Sequence, residues 1–434
     1  MFQTYDEALT WIHARLRLGI KPGLKRMEWM MERLGNPERK VKTIHIGGTN
    51  GKGSTVTFLR SILEAAGYSV GTYTSPYIES FNERISVNGT PVTDGEILEL
   101  ANRIKPLADE LDQSELGGPT EFEVITAMSF VYFAEVRPVD FAVYEVGLGG
   151  RFDSTNILTP LVSVITNVGL DHISILGDTY GEIAFEKAGI IKEGIPVITG
   201  TQHPEALSVI IEQAAGKHSP IYKLGEEIRI SAHEKTSKGE KFTVSSPFAK
   251  LDNLEVSMIG VHQTANASLA VTAAQFLKES GQIKAGEVEI RTGLKKAFWP
   301  GRLEFVSNNP VVILDGAHNT EGIESLANEL SSRFSGKKVH IVFAALKDKP
   351  LDSMIHRLEE VSDKITFVSF DFPRAASASE LLAISRSPES RKEDDWKTFL
   401  KGEINGMQEG WILLVTGSLY FISEARKYLL EKIL

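Results

Sequence analysis

The sequence predicts an α/β protein built on mainly parallel sheets. Short β-branched runs, such as TIHIG at 43–47 and DFAVYE at 140–145, precede glycine-rich or polar turns. These runs are followed by stretches with apolar residues at helical spacing, for example 54–66 after the first run. Strands that alternate with helices form parallel sheets with helices on both faces, and ligands bind beyond the carboxyl ends of such strands. The functional residues are therefore expected in the turns that follow the strands.

The alternation continues along the chain with one interruption. The predicted strands are 43–47, 69–73, 140–145, 161–166, 196–199, 311–314, 339–344, 365–370 and 411–416. The predicted helices are an amphipathic helix at the N-terminus, 54–66, 121–136, 181–191, 264–279, 320–334 and 351–361. Residues 223–260 instead carry more charge and short alternating runs, which predicts a small antiparallel patch on the first domain.

A domain boundary is predicted near the segment KAFWPGR at 296–302. Pro300 and Gly301 stop a helix there and precede a new strand-rich stretch. The chain of 434 residues is long enough for two or three domains of ordinary size. We therefore expect a first domain at 1–297, with a mainly parallel sheet, and a smaller Rossmann-like α/β domain at 298–434.

Composition excludes several classes of protein and of site. The chain has 42% hydrophobic and 24% charged residues, no cysteine and a formal charge of −10. Without cysteine, only oxygen and nitrogen ligands remain for a metal. The negative charge argues against nucleic-acid binding, and no apolar run approaches the length of about 18 residues that a membrane span needs. The N-terminus is typical of an amphipathic helix rather than a signal peptide, so a cytoplasmic location is expected.

The segment KTIHIGGTNGKGSTVTFLRSILEAAG at 42–67 places a glycine-rich turn between a strand and a helix. Backbone N–H groups and the helix dipole form an anion site in such a turn. Lys52 can reach the outer phosphates of a nucleotide, and a hydroxyl from Ser54 or Thr55 can ligate Mg2+. Only two residues separate Gly48 from Gly51, unlike the four of the common Walker A pattern. The turn predicts a phosphate loop, but it does not say where a phosphoryl group goes.

Further polar side chains stand at the ends of other predicted strands. Glu145 ends the strand 140–145 before the turn VGLGGRFDSTN, and Asp171 and His172 follow the strand 161–166. Carboxylate and imidazole groups are acceptable ligands of Mg2+ or Mn2+, although histidine is unusual for Mg2+. By position alone, Glu145 is more readily a structural carboxylate and His172 an ordinary loop residue.

Several motifs combine in one order along the chain: GTNGKGS, TSPYI, FNERISVNG, EVGLGGRFDSTN, DHISILGDTYGEIAFEKAGIIK, WPGRLE and LDGAHN. Together they resemble the folylpolyglutamate synthase and dihydrofolate synthase proteins of the Mur ligase superfamily, over about residues 5 to 425. The shortened phosphate loop is this superfamily's form. The resemblance implies an ATP-dependent ligase that adds L-glutamate to a folate through an acyl phosphate. It also implies small-molecule substrates and a monomer, with no nucleic-acid or membrane partner.

The resemblance implies which residues bind the nucleotide and the metals. Residues that would wrap the ATP phosphates are Thr49, Asn50, Gly51, Lys52, Gly53 and Ser54. Further nucleotide contacts are implied for Asn266 and, from the second domain, Arg302 and Asp315. The two Mg2+ sites would use Ser75 and Glu145 with Ser54 for the first, and Glu145, His172 and a carbamate on Lys187 for the second. The alternative for Lys187 is an ion pair on its own helix with Glu182 or Glu186.

The resemblance also implies substrate contacts. His318 and Ser418 match positions near the incoming glutamate, and His318 is grouped with Lys52 and Lys187 as a participant in catalysis. Contacts with the pterin are implied for Thr120, Phe122, Phe152, Asp153 and Ser154, although a phenylalanine at a helix start is as readily part of the core. The Thr-x-Phe-Glu pattern of PTEFEVITA is associated with dihydropteroate binding and favours a bifunctional enzyme. A monofunctional folylpolyglutamate synthase stays the alternative.

Three other classes of protein compete with this interpretation. A cell-wall Mur ligase places a UDP-binding domain ahead of the phosphate loop, whereas only 47 residues precede Gly48. A P-loop GTPase or kinase would lack the His172 and Lys187 constellation and the LDGAHN motif. A folate-binding protein without activity is disfavoured because the residues expected for metal and phosphate are all present.

Overall fold

The computed structural model describes residues 1–19, 21–77 and 79–433, which group into two compact units. The first unit comprises Met1–His233, Lys241–Val256 and Thr264–Ala297. The second comprises Glu234–Glu240, Ser257–Gln263 and Phe298–Leu434. Two short segments ahead of residue 298 thus group with the second unit, which the sequence did not predict. Ile78 of the TSPYI motif lies outside the described residues.

Within the described residues, an eight-stranded sheet forms the centre of the first unit. Its strands β1 to β8 are Lys42–Gly47, Val70–Tyr73, Ile85–Val87, Thr90–Pro91, Phe141–Glu145, Val162–Ile165, Val197–Thr199 and Ile221–Lys223. Their order is β4-β3-β2-β5-β1-β6-β7-β8, and only the pairs of β3 with β2 and with β4 are antiparallel. The central strands are buried along nearly their whole length, which explains their continuous apolar runs.

A smaller sheet of three strands follows in the described part of the chain. Its strands β9, β10 and β11 are Arg229–Thr236, Gly239–Ser245 and Lys250–Val256. They are adjacent in chain order, and strands joined by turns this short pair antiparallel. The sheet confirms the antiparallel patch predicted at 223–260.

Helices cover the strands of the first unit. Helices α1 to α8 are Tyr5–Ala14, Lys25–Arg33, Lys52–Ala65, Asp94–Asp112, Glu121–Val131, Ile173–Leu176, Tyr180–Ala188 and Pro204–Gly216. Two more are α9, Val261–Glu279, and α10, Glu287–Lys296. Threonine and a glutamate three residues later form capping boxes at the starts of α4, α5 and α7. Apolar side chains of α1, α2, α4 and α5 form one buried cluster with β2 and β5, and those of α7 and α8 form another with β6 and β7.

The second unit is a smaller α/β fold with a mixed sheet of six strands among its described residues. Strands β12 to β17 are Glu304–Asn308, Val311–Asp315, Lys338–Ala344, Lys364–Val368, Arg391–Glu393 and Trp411–Gly417. Helices α11 to α15 are Thr320–Arg333, Leu351–Glu359, Ala378–Ile384, Trp396–Gly406 and Leu419–Lys432. The strand order is β12-β13-β17-β14-β15-β16, and β12 alone pairs antiparallel. The predicted α/β class and the Rossmann-like character of the second part are confirmed.

None of the helices in the described ranges is long and apolar enough to cross a membrane.

Candidate active site

The glycine-rich turn between β1 and α3 has the conformation that its sequence requires. Gly48 has a φ of 141° and Gly51 a φ of 82°, both in the region that favours glycine. A Cβ atom on Gly48 would collide with Thr166 Oγ1, and a Cβ atom on Gly51 would collide with Asn266 Oδ1. Thr166 and Asn266 therefore pack directly on the turn. Asn266, a predicted nucleotide contact, lies beside the predicted phosphate loop.

Lys52 begins α3 and folds back over the turn. Its Nζ donates hydrogen bonds to the carbonyl oxygens of Gly48 and Thr49, each at 3.1 Å. Gly53 and Ser54 lie in the first turn of α3, where backbone N–H groups have no partner within the helix. The start of this helix thus combines a cation, a hydroxyl and backbone donors, which is the chemistry that a phosphate group needs.

Glu145 lies beside this turn at the carboxyl edge of the sheet. It ends β5, which pairs with β1 so that Glu145 is opposite Ile46. The carboxylate is buried, and its Oε2 accepts a hydrogen bond of 3.4 Å from the backbone N–H of Ser75. The structure therefore brings together two of the predicted metal ligands, Ser75 and Glu145.

His172 approaches from the other side of β1. Strand β6 pairs with β1 so that Ile165 is opposite Gly47, and the segment that follows it carries Asp171 and His172. His172 has a φ of 52°, and its backbone N–H donates to Asp171 Oδ1 at 2.9 Å. Glu145 thus ends one of the two strands that flank β1, and His172 follows the other, at the same edge of the sheet.

Lys187 is buried near the end of α7, with 4% of its surface exposed. The two carboxylates predicted as its alternative ion-pair partners are engaged elsewhere. Glu186 Oε1 pairs with Arg151 Nη2 at 2.6 Å, and Glu182 Oε2 accepts hydrogen bonds from the backbone at the start of α7. Lys187 therefore does not form the ion pair with Glu182 or Glu186 that was its alternative.

Groups of three or more His, Asp or Glu side chains that could hold a metal ion are not found in the described ranges. Ser75 and Glu145 offer the oxygen donors that Mg2+ prefers. A second site at Glu145 and His172 depends on the form of Lys187, since an ammonium repels a cation whereas a carbamate supplies anionic oxygens.

Asp153 organises the turn that follows β5. Its Oδ2 accepts from the backbone N–H groups of Gly147 and Leu148, at 3.0 and 2.9 Å. Its Oδ1 accepts from the N–H and the hydroxyl of Thr155, at 3.0 and 2.5 Å. Burial raises the pKa of Asp153, and these hydrogen bonds oppose that rise. Both oxygens of this predicted pterin contact are therefore engaged within its own turn, which makes Asp153 a residue that shapes the site.

The neighbours of Asp153 differ in exposure. The Phe152 side chain is 46% exposed, and the Arg151 guanidinium lies 4.4 Å from the centre of its ring. Ser154 is buried and begins a short 3-10 helix. Of this stretch, only the aromatic ring of Phe152 presents a large face to solvent and can stack on a planar ligand.

Thr120 and Phe122 lie at the start of α5. The Thr120 hydroxyl accepts from the N–H of Glu123 at 3.2 Å and caps the helix. The Phe122 ring centroid lies 5.8 Å from that of Tyr73, and a Cβ atom on Gly147 would collide with the Phe122 ring. Phe122 therefore belongs partly to the core and at the same time contacts the turn after Glu145.

His45 is a member of this site that the sequence did not single out. It lies fully buried on β1, and its Nε2 is 2.8 Å from Thr155 Oγ1. Because that hydroxyl donates to Asp153, His45 donates through Nε2–H, and its Nδ1 has no hydrogen-bond partner among the described residues. Burial, assisted by the charge of Lys192, lowers the pKa of His45 to about 3. The chain His45, Thr155 and Asp153 links the strand below the phosphate loop to the turn after Glu145.

The low pKa of His45 predicts that stability depends on pH. The unfolded chain takes up a proton at this residue below about pH 6.5, whereas the folded chain stays neutral down to about pH 3. The stability contributed by neutral His45 is therefore complete above about pH 6.5 and is lost as the pH falls. Between pH 7 and pH 5, the free energy of unfolding should fall by about 2 kcal/mol more in the wild type than in His45→Gln. Urea unfolding at both pH values measures this difference. An equal fall in the free energy of unfolding between pH 7 and pH 5 for the two proteins would contradict the prediction.

The second unit carries the other predicted nucleotide and glutamate contacts. Asp315 ends β13, with Oδ2 accepting from the N–H of Leu303 at 2.9 Å and Oδ1 from that of Ala317 at 2.8 Å. Burial raises the pKa of Asp315, while the charge of Arg302 opposes the rise. Asp315 and Arg302 are thus electrostatically coupled within this unit.

His318 and Ser418 follow two adjacent strands, β13 and β17. His318 Nδ1 donates to the carbonyl oxygen of Gly316 at 2.8 Å. Ser418 precedes α15, and its buried hydroxyl has no hydrogen-bond partner among the described residues. A buried hydroxyl at the start of a 14-residue helix is chemically suited to a carboxylate ligand.

Two Mur ligase families match most of the chain. The Mur ligase middle domain matches residues 46–274, and the Mur ligase glutamate ligase domain matches residues 301–419. Among curated proteins, the dihydrofolate synthase/folylpolyglutamate synthase of Bacillus subtilis is 51% identical over 432 residues, which cover 99% of this chain and all of the relative.

Solved structures agree with this relationship. The structure of a folylpolyglutamate synthase (FPGS), an FPGS-AMPPCP-folate complex, matches with a TM-score of 0.86 and 35% identity. The match covers 99% of this chain and all of the FPGS chain. The Mycobacterium tuberculosis folylpolyglutamate synthase complexed with ADP and AMPPCP has a TM-score of 0.89 and 29% identity, covering 98% of each chain. The family resemblance read from the motifs is confirmed: the chain belongs to the dihydrofolate synthase/folylpolyglutamate synthase family of Mur ligases.

Proposed function

We propose that this protein is an ATP-dependent ligase that joins L-glutamate to folates and also converts dihydropteroate to dihydrofolate. The observation that carries the proposal is that Glu145 ends β5 and His172 follows β6, the two strands that flank β1, which leads into the glycine-rich turn. A phosphate loop in this position binds the nucleotide, and the flanking groups stand where a phosphoryl group is transferred. The identity to the B. subtilis enzyme, over the full length of both chains, supports the same activity.

The chemistry proceeds in two steps. A carboxylate oxygen of the folate attacks the γ-phosphorus of ATP, the bond to the β-phosphate oxygen breaks, and ADP leaves. The amine of glutamate then attacks the acyl carbon, and the tetrahedral intermediate expels inorganic phosphate and loses a proton to give the amide. The first step brings two anions together, so the site must neutralise negative charge. Lys52 contributes a cation beside the phosphates, and backbone N–H groups at the start of α3 contribute dipoles.

The metals belong to the same electrostatic task. Ser75, Glu145 and Ser54 would hold one Mg2+ ion, and Glu145, His172 and the carbamate of Lys187 would hold the second. When bound, the ions neutralise charge on the phosphates and on the attacking carboxylate. The support lies in the buried Glu145 carboxylate beside Ser75 and in the burial of Lys187.

The remaining nucleotide and glutamate contacts are proposed from the observed chemistry of each residue. Asn266 would contact the nucleotide because it lies against Gly51. Arg302 and Asp315 would contact it from the domain at 298–434, which we assign to glutamate ligation, and the part at 1–297 is assigned to ATP binding. The Ser418 hydroxyl and His318 would orient the incoming glutamate, and the unpartnered Ser418 hydroxyl supports this role. A monomeric state and a cytoplasmic location stay predictions from the sequence.

For the pterin, the structure favours some predicted contacts over others. The exposed ring of Phe152 is suited to stacking, and Phe122 can contact a ligand only through the part of its ring outside the core. Thr120, Asp153 and Ser154 would act mainly by shaping the pocket, because Thr120 and Asp153 use their side chains in helix capping and in the turn. The bifunctional activity rests on PTEFEVITA, and the printed name of the B. subtilis relative, which includes both activities, supports it.

Incorporation of radiolabelled glutamate tests the proposed activity. The purified protein is supplied with ATP, Mg2+ and L-[14C]glutamate, together with either dihydropteroate or tetrahydrofolate. We expect labelled product from both acceptors and none when ATP is omitted. Product from tetrahydrofolate alone would show that the protein is a monofunctional folylpolyglutamate synthase. Product from neither acceptor would contradict the proposed ligase activity. Hydrolysis of GTP, or phosphoryl transfer without glutamate, would instead favour a GTPase or kinase.

A further inference from the structure

The turn that follows β6 contacts the phosphate loop through an asparagine that the predicted site does not include. Asn167 Oδ1 accepts hydrogen bonds from two consecutive backbone N–H groups, those of Thr49 at 3.2 Å and Asn50 at 2.8 Å. The Asn167 carbonyl oxygen also accepts from the N–H of Thr49, at 3.1 Å. Two successive N–H groups that converge on one oxygen form an anion-binding concavity in other proteins, and here a protein oxygen occupies it.

The residues on either side of Asn167 hold the same loop. Thr166 Oγ1 donates to the carbonyl oxygen of Asn50 at 2.6 Å. The Thr49 hydroxyl accepts a hydrogen bond from the N–H of Gly169 at 2.9 Å and donates one to the Gly169 carbonyl oxygen at 3.2 Å. The turn 166–169 therefore contacts the first half of the loop through main-chain and side-chain groups. Thr49, predicted as a phosphate contact, directs both its N–H and its hydroxyl toward this turn.

We propose that Asn167 is a positioning residue that holds the phosphate loop in its binding conformation. With the N–H groups of Thr49 and Asn50 held by Asn167, the donors left for the phosphates are those from Gly51 onward, at the start of α3. An N–H group that donates to Asn167 is not free to donate to a phosphate in another direction. The inference rests on the proposed function only in that the loop binds ATP.

If Asn167 were instead displaced by the nucleotide, its removal would change nucleotide affinity in the opposite direction. If its amide oxygen were a placeholder that the nucleotide displaces, removing it would free the N–H of Asn50 for the phosphates, loosen that of Thr49, and tighten binding. If it positions the loop, removing it leaves the N–H of Asn50 without this acceptor and that of Thr49 held only by the main-chain carbonyl of residue 167, so that the loop is free to adopt other conformations. Two hydrogen bonds of ordinary strength then correspond to a loss of about tenfold or more in affinity.

Binding of the ATP analogue AMPPCP to the whole protein, without folate or glutamate, tests the proposal by calorimetry. We expect Asn167→Ala to raise the Kd at least about tenfold. The matched control is Asn102→Ala, since Asn102 is also partly exposed and its side chain bonds the main chain of Phe2. The control should bind AMPPCP as the wild type does. Unchanged or tighter binding by Asn167→Ala would overturn the proposal.

A second variant separates positioning from loss of folding. Asn167→Asp keeps an acceptor oxygen, so the amide proton of Asn50 should stay protected from hydrogen exchange, whereas in Asn167→Ala it should exchange faster. In Asn167→Ala, the KM for ATP should rise by a larger factor than kcat falls. Equal exchange of the Asn50 amide in all three proteins would overturn the proposal even if Asn167→Ala unfolds more readily. Failure of the folate assay with normal AMPPCP binding would concern the proposed function alone.

Discussion

Glu145→Gln is expected to lower kcat for glutamate ligation by about a thousandfold or more while the fold is retained. The substitution keeps the size and the hydrogen-bonding oxygen that accepts from Ser75, but it removes a full negative charge at the carboxyl edge of the sheet. A metal ion supplies several kcal/mol of charge stabilisation in phosphoryl transfer, and about 4 kcal/mol corresponds to the expected factor. Initial rates with L-[14C]glutamate at saturating ATP measure the effect.

Glu38→Gln is the matched control for this substitution. Glu38 is buried like Glu145, but it precedes β1 and so lies at the amino end of the strand that leads into the phosphate loop. It should keep near-normal turnover even where it loses stability. Binding of Mn2+ should weaken in Glu145→Gln and not in Glu38→Gln. Turnover within tenfold of the wild type in Glu145→Gln would refute its proposed metal role.

Lys187→Ala is expected to reduce turnover to a similar extent, and a small carboxylate such as formate or acetate should restore part of it. The physical reason is that the proposed group at this position is an anionic carbamate, so a diffusible carboxylate can occupy the space left by the side chain. Lys187→Arg keeps a positive charge but cannot form the carbamate, and it should be as inactive as the alanine variant. Rates measured at increasing formate concentration distinguish these outcomes.

Lys217→Ala serves as the control for Lys187, because Lys217 is a partly buried lysine whose Nζ donates to the carbonyl oxygen of Ile191. That variant should need no carboxylate for activity. In the wild type, 13C-labelled bicarbonate should produce a carbamate signal that Lys187→Ala lacks. An active Lys187→Arg enzyme would support an ordinary cationic role and would contradict the carbamate.

Local patterns in the chain were enough to predict the fold class and most of the central elements. The predicted strand 140–145 corresponds to Phe141–Glu145, and the predicted strand 339–344 to Lys338–Ala344. Buried parallel strands are apolar throughout and helices repeat their apolar residues at a fixed spacing, so both can be read from neighbouring residues. The glycines of the phosphate loop were identified for the same reason, since their backbone requirement is local.

Tertiary structure alone assigned the side chains that connect distant segments. His45 contacts Thr155, and Asn167 contacts Asn50, across 110 and 117 residues of sequence. Such contacts depend on which strands become neighbours: β1 lies between β5 and β6, and no periodicity in the sequence encodes that order. Motifs thus predicted the chemistry at the edge of the sheet, whereas the packing of strands decided which groups bind a ligand there and which hold the site in shape.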